Sequence, residues 1–307
     1  MKYLKINNLK ISQLSAGCMR FNNTTVEEVE KFVKFALDQG INFFDHADIY
    51  GDGKCEELFG QVLKKHPEWR KRMFIQSKCG IVKAGPTYFD FTKKHIIESV
   101  EGSLKRLQTK YLDVLLLHRP DTLFDPNEVA EAFNYLVKTK KVKYFGVSNM
   151  NSMQIKLLQS KLKQKILFNQ MQFNPVRSEM VNAGLFVNTK ESLGIVRDGS
   201  LLEYCRLKNI LIQPWSILQA SREEGTFLEN KDYPELNNIL DELSKKYKIT
   251  KSGIVISWIC THPANMQPIC GTTKTNHLKE LCDGLNVKLN HYEWYRLHQA
   301  AIKHKLP

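Results

Sequence analysis

No apolar run in this sequence approaches the length needed to cross a bilayer; the strongest, such as Val114 to Leu117, would fill one strand. The stretch Met1 to Lys10 lacks the apolar core of a signal peptide, so a soluble cytoplasmic protein is expected. Cysteine is present but unpatterned. The seven residues Cys18, Cys55, Cys79, Cys205, Cys260, Cys270 and Cys282 include no Cys-x-x-Cys pair and no Cys/His grouping of zinc-site spacing. That argues against a disulfide framework or a structural metal, and for reduced thiols. Low-complexity linkers, short solenoid repeats and nucleic-acid modules are missing too. The formal net charge of +13 therefore reads as lysine faces scattered over helices, with a mild pull on anionic ligands such as a phosphate-rich cofactor. Neither nucleic acid nor membrane is expected as a partner.

What remains is the composition of an ordinary globular protein, 42% hydrophobic and 25% charged, able to bury a large core. Length alone allows two domains, but the regular alternation of segments leads us to expect one, 1–307. Asn7-Asn8 between Tyr3–Ile6 and Lys10–Ser12 reads as a small β-hairpin. Apolar strand candidates follow near 14–19, 42–48, 73–79, 113–118, 143–148, 167–173, 210–216 and 267–271. Amphipathic stretches fill the gaps. Thr25 and Glu28 form a capping-box signature ahead of Val29, Phe32, Val33 and Ala36, and Gly40 ends that helix. Thr92 starts a similar pattern, and further helices are predicted at 54–65, 127–138, 152–160, 200–208, 234–247, 251–261, 275–284 and 291–303. Eight strands, each followed by helical sequence, predict a parallel sheet with crossovers. The first strand lacks the Gly-x-Gly-x-x-Gly turn of the commonest doubly wound sheet. The fold expected is an α/β protein, a (β/α)8 TIM barrel with an N-terminal β-hairpin.

In such a barrel, chemistry sits at the C-terminal strand ends. Strand two ends in FFDHADIYG (43–51), bringing Asp45 and Tyr50; strand three ends in IQSKCG (75–80), bringing Lys78; strand four ends in LLLHRPD (115–121), bringing His118. Singly, each has a plain structural reading as a cap, a core edge or a satisfied imidazole. As four titratable groups at three adjacent strand exits, they suit one reaction. A phenol of pKa about 10 releases its proton reluctantly near neutrality, and a Lys ammonium beside it favours the phenolate. Asp45 would hold Lys78 charged and oriented, and His118 would align a carbonyl oxygen. The set reads as a general acid for reducing C=O, with hydride coming from elsewhere. Cys18, Cys79 and Cys270 follow or end strands one, three and eight; they either fill the core or face the same mouth, where Lys78 would lend Cys79 thiolate character.

These residues and the segments after them resemble the aldo-keto reductases, over nearly the whole chain from Gly17 to about Leu281. The resemblance implies a catalytic set in which Tyr50 donates the proton, Lys78 lowers its pKa, Asp45 supports Lys78 and His118 orients the substrate. It also implies cofactor contacts. One group is Gly17, Cys18, Met19 and Arg20 at the end of strand one, with Asp45. GVSN (146–149) and FNQMQFNP (168–175) supply Ser148, Asn149 and Gln170 for the nicotinamide carboxamide. QPWSILQ (213–219) supplies Trp215 to stack on the nicotinamide, and Ser216, Ile217, Leu218 and Gln219 along the pyrophosphate. ICGTTKTNHLKEL (269–281) supplies Gly271, Thr272, Thr273, Lys274 and His277 for the adenosine phosphate. The sequence departs from the family pattern at Trp215, commonly Tyr; at His277, often Arg; and at Leu281, where an Asn frequently contacts adenine. Lys274 beside a helix N-terminus still suits a phosphate, so NADPH/NADP+ is the expected cofactor, with NADH left open. The implied activity is that of an NADP-dependent alcohol:NADP+ oxidoreductase acting on aldehydes or ketones.

Two other readings stay open. Some members of that family are cofactor-binding regulatory subunits of larger assemblies, and such subunits can keep the four residues. A metal-dependent hydrolase on the same barrel could draw on His46, Asp48, His118 and Asp121, although no His-x-His pair ends strand one. The reductase reading needs no metal; its partner is a small carbonyl compound, and the protein would be a monomer or weak homo-oligomer. Substrate choice would lie in the loops around 20–24, 81–91, 120–126, 177–199 and 219–233. The segment Arg177 to Ser200 is either a pocket wall or a tolerated surface loop.

Overall fold

The computed structural model describes residues 1–84, 87–221 and 223–305. Its main sheet has eight parallel strands: Ser15–Gly17, Phe43–Asp45, Phe74–Cys79, Leu112–Leu117, Val142–Ser148, Ile166–Gln172, Leu211–Trp215 and Ile269–Cys270, here strands one to eight. Each pairs with the next in sequence up to strand seven, and strand eight pairs with strand one. Strands seven and eight share no ladder. Instead the N–H of Gln267, just before strand eight, donates to the carbonyl of Ile212 at 3.0 Å. That bond closes the sheet into a barrel.

Helices ring the outside because their sequences carry one apolar stripe each. The first, Val26–Asp38, buries Val29, Phe32, Val33 and Ala36 and begins with the expected capping box: Glu28 N–H on Thr25 Oγ1 at 3.3 Å, and Thr25 N–H on Glu28 Oε2 at 2.8 Å. Helices Lys54–Lys65, Pro234–Tyr247, Lys251–Thr261 and Thr275–Gly284 lie where the periodicity predicts them.

Inside the barrel, side chains alternate in and out along each strand, so inward residues come in layers two positions apart. The lowest layer is apolar: Phe43, Val114, Phe168 and Leu211, with Leu116 one layer above Val114, in one cluster with Leu9 and Ile11 of the antiparallel hairpin Tyr3–Ile6/Leu9–Ser12. The hairpin thus plugs the floor. Two residues further up lie Asp45, Gln76, Gln170 and Gln213, all buried. Another step brings Lys78, His118 and Trp215 to the mouth.

Further elements stand in segments whose sequence carries no helical or strand periodicity. Segment 177–200 contains the helix Glu179–Leu185, which buries Met180, Val181 and Asn182, so this part is packed, whereas 187–200 runs over the surface. Hairpins Ile81–Lys83/Thr87–Phe89 and Gln219–Ser221/Gly225–Thr226 stand in two of the expected specificity loops. Positions 85, 86 and 222 of those loops lie outside the described residues. Among the described residues no helix is long and apolar enough to cross a membrane.

Candidate active site

Strand two ends at Asp45, one layer below the mouth, and a sharp turn then brings Tyr50 back over it. The turn Tyr50–Gly53 places Gly51, Asp52 and Gly53 in left-handed conformations, at φ 57°, 54° and 93°. At Gly51 a Cβ would also lie 2.5 Å from the Asn22 side chain, so both backbone and space call for glycine. Lys78, on strand three, is fully buried. Its ammonium donates to the Tyr50 hydroxyl at 2.9 Å, to the His46 carbonyl at 2.7 Å and to Asp45 Oδ2 at 2.9 Å, with Asp45 Oδ1 at 2.8 Å. All three of its protons are spent.

Burial alone would strip charge from Lys78, but Asp45 and Tyr50 outweigh it and raise its pKa above that of ordinary lysine. Tyr50 moves against the simplest sequence expectation. Burial pushes its phenol up, Lys78 pulls it down, and burial wins. The family resemblance implied a lowered value; here Lys78 limits a rise instead. His118 lies edge-on to Tyr50, with ring centroids 5.9 Å apart. Burial, then the charges of Lys78 and Arg119, drive its pKa well below the usual histidine value, so the ring is neutral. A neutral imidazole aligns an oxygen by hydrogen bonding without competing for the proton.

Around this set lie the residues assigned to a cofactor. Ser148 Oγ donates to the Gln170 carbonyl at 2.9 Å, and Asn149 Nδ2 donates to Ser148 Oγ at 2.8 Å. Gln170 spends its side-chain N–H on Asp45 Oδ1 at 3.0 Å, inside the barrel. Trp215 is half-buried, and its indole N–H has no partner among the described residues. The guanidinium of Arg119 lies over its ring, 5.5 Å from the centroid. Ser216 has a left-handed backbone, and Asn174 holds the turn by donating to the carbonyls of Ser216 (2.9 Å) and Gln219 (2.8 Å). Ile217 is buried in the outer core with Leu218 packed on it. Gly17 lies where strands one and eight approach closely, a Cβ there meeting Ile269 at 2.9 Å. Met19 and Arg20 are exposed.

At strand eight, Gly271, Lys274 and His277 are exposed, and Thr272 and Thr273 partly so. Helix Thr275–Gly284 starts at Lys274 with no side-chain cap and no acid in its first turn, leaving its N–H groups and positive dipole end open to an anion. A cavity of about 420 Å3 runs from there to the first helix, lined by Phe21, Thr24, Lys31, Thr273 and Lys274 among others. Leu281 is buried in the core, so its departure from the family pattern does not face a ligand. An unpaired indole N–H, a hydroxyl–amide pair at strand five and an open helix end suit a nicotinamide dinucleotide.

The open readings of the cysteines and of a metal site narrow. Cys18, Cys79 and Cys270 are buried, and burial raises each thiol well above the ordinary range. At Cys79 the charges that act are Asp48 and Asp90, which also raise it, so no thiolate character comes from Lys78. Cys18 points into the core, its thiol directed at the Ala16 carbonyl, and its backbone N–H donates to the Asp45 carbonyl at 2.9 Å. The four groups considered for a metal do not converge. His46 presses edge-on against Phe59 with its pKa near 3, and Asp121 accepts the N–H groups of Phe91 and Leu123. Among the described residues no three metal-ligating side chains meet. Residues that sequence reasoning missed are Gln76, Gln213 and Gln267, which join Asp45 in the barrel interior, and Arg119. The available signal was a glutamine on the inward register of apolar strands, as in Leu211–Trp215.

A sequence model of the Aldo/keto reductase family matches residues 13–302. Oxidoreductase YdhF of Escherichia coli (strain K12) is 34% identical, covering 93% of this chain and 91% of that protein. A 6-dehydroglucose reductase of Agrobacterium fabrum is 30% identical over 96% of each. Among solved structures, the thermostable aldo-keto reductase Tm1743, crystallised with the inhibitor epalrestat, superposes with a TM-score of 0.78. It covers 98% of this chain and 100% of its own at 24% identity, a likeness of fold.

Proposed function

This chain belongs to the aldo/keto reductase family, and on that premise we propose that it reduces an aldehyde or ketone to the alcohol with NADPH, Tyr50 giving the proton. The observation that carries this reading is the Tyr50 hydroxyl held 2.9 Å from a fully buried, Asp45-paired Lys78 at the barrel mouth. A bound nicotinamide cofactor supplies the hydride. Trp215, Ser148 and Asn149 would hold its nicotinamide end, and Lys274 with the helix start its adenosine phosphate. Tyr50 keeps its proton through neutral pH and passes it to the carbonyl oxygen as negative charge develops there. Lys78 stabilises the phenolate left behind, and neutral His118 fixes the oxygen's position. NADPH preference is supported by Lys274 at the open helix end.

Tyr50→Phe removes the acid and leaves the fold intact. Turnover of a simple aldehyde should fall by roughly a hundred- to ten-thousand-fold, with NADP+ affinity nearly unchanged. Retention of more than about a tenth of turnover, with chemistry rate-limiting, excludes Tyr50 as the donor. NADPH should bind more tightly than NADH, and Lys274→Ala should narrow the gap; equal dissociation constants in the wild type would overturn the preference.

A further inference from the structure

We propose that Gln267, Gln213 and Gln76 form a one-way amide chain, anchored on the Ser12 carbonyl in the barrel floor, that positions Asp45 against Lys78. The inference rests on reading Asp45 as the charge partner of Lys78. The two ends of a glutamine amide look alike, and only its partners decide which way it faces. Here the decision is made at the floor. A backbone carbonyl can only accept, so Gln267 must turn its N–H to Ser12, at 2.6 Å. Its oxygen is then left for the N–H of Gln213, at 2.9 Å. The oxygen of Gln213 in turn accepts from Gln76 at 3.0 Å and lies 3.5 Å from the Gln170 nitrogen. Gln76 and Gln170 therefore both present N–H groups to Asp45 Oδ1, at 2.6 and 3.0 Å.

All four glutamines are buried, Gln76, Gln213 and Gln267 completely. Reversing Gln267 or Gln213 alone would set oxygen against oxygen on one side and N–H against N–H on the other, and reversing Gln76 or Gln170 would turn an oxygen on the Asp45 carboxylate. With its lower edge held, Asp45 turns both oxygens to the Lys78 ammonium, and Lys78 stays aimed at Tyr50. The groups that face this pair are Tyr50, Cys18, His46 and His118. None belongs to the chain. Gln267 makes no hydrogen bond to Asp45, Lys78 or Tyr50, so its influence on them must pass through Gln213 and Gln76.

The test is Gln267→Leu, with Gln267→Glu as the conservative rescue. A buried glutamic acid is driven to its protonated form; it then donates to Ser12 and accepts from Gln213, as the native amide does. The first readout is the Nζ resonance of Lys78 in 15N-lysine protein, assigned through Lys78→Met. The second is the alkaline limb of kcat for an aldehyde with NADPH. In Gln267→Leu both should move to lower pH, because Lys78 loses a well-held counter-charge, and plateau kcat should fall about tenfold with KM within about twofold. Gln267→Glu should restore both. If Gln267→Leu does not fold, Gln213→Met breaks the same chain and should give the same shifts. Unchanged Lys78 titration in the folded variant overturns the proposal, as does a loss of kcat with no pH shift that Gln267→Glu fails to restore. A shifted Lys78 resonance in a protein that reduces no carbonyl compound supports the chain and removes the reductase reading instead.

Discussion

Tyr50 holds its proton more tightly than a free phenol, although an ammonium lies 2.9 Å away. The identity of the pair was legible, since Asp45, Tyr50, Lys78 and His118 all fall at strand exits. The sign of the shift was not, because it depends on how much water the fold removes, and burial outweighs one neighbouring charge. Asp48 shows the same physics where it can be measured as stability. Burial first, and Glu56 second, push its carboxyl up to about 7. A raised carboxyl contributes stability that is fully present below the unfolded value of 3.8 and is lost as pH rises through about 7. Asp48→Asn removes that loss. The variant should gain on the wild type between about pH 4 and pH 8, by at most about 4 kcal/mol for a shift of this size. Urea denaturation at the two ends of the range reads the difference, and a gap that does not change with pH would contradict the assignment.

Elements with their own punctuation were readable: Thr25 with Glu28 ahead of Val26–Asp38, and Thr92, whose side chain accepts from the His95 N–H, ahead of Lys93–Arg106. The helix Glu179–Leu185 was not, since seven residues give under two turns of periodicity and its start has no side-chain cap. The short hairpins Ile81–Lys83/Thr87–Phe89 and Gln219–Ser221/Gly225–Thr226 bury too little for alternation to appear. What sequence cannot say is how closely two elements approach, and glycine exposes that. A Cβ at Gly60, in Lys54–Lys65, would lie 2.0 Å from the Arg106 carbonyl at the end of the next helix, Lys93–Arg106. At Gly184, in Glu179–Leu185, it would meet only the Glu203 carboxylate at 3.3 Å, the far end of a flexible side chain. Alanine favours a helix over glycine by about 1 kcal/mol at either site. At Gly60 backbone overlap should exceed that gain and destabilise by about 1–3 kcal/mol net. Gly184→Ala should be neutral or stabilising by up to about 1 kcal/mol. Thermal melts should fall for Gly60→Ala and not for Gly184→Ala; a Gly60→Ala melt at or above the wild type would place the helix contact wrongly.

At the scale of the whole molecule, the barrel could be read from eight alternating units, whereas the way it closes could not. Strand eight spans only Ile269 and Cys270, so the ring is joined to strand seven by one backbone bond, from Gln267 to Ile212, and one side-chain bond, from Gln213 to Gln267. The segments on either side of that join carry Trp215 and Lys274, the two ends of the proposed cofactor cleft. A join this thin breathes more readily than a laddered pair, since fewer bonds must break together. Amide hydrogens of Gln267, Ile269 and Cys270, and of Leu211, Ile212, Gln213 and Trp215, should therefore exchange with deuterium sooner than those of Leu112–Leu117, which is paired on both sides. NADP+ should slow them selectively. Equal protection across all eight strands, with or without NADP+, would show the join to be as firm as the rest. If it is the looser place, a long dinucleotide need not be threaded end-on into a rigid ring. It can be laid in from the side, and its residence time is then set by how often the ring unclasps.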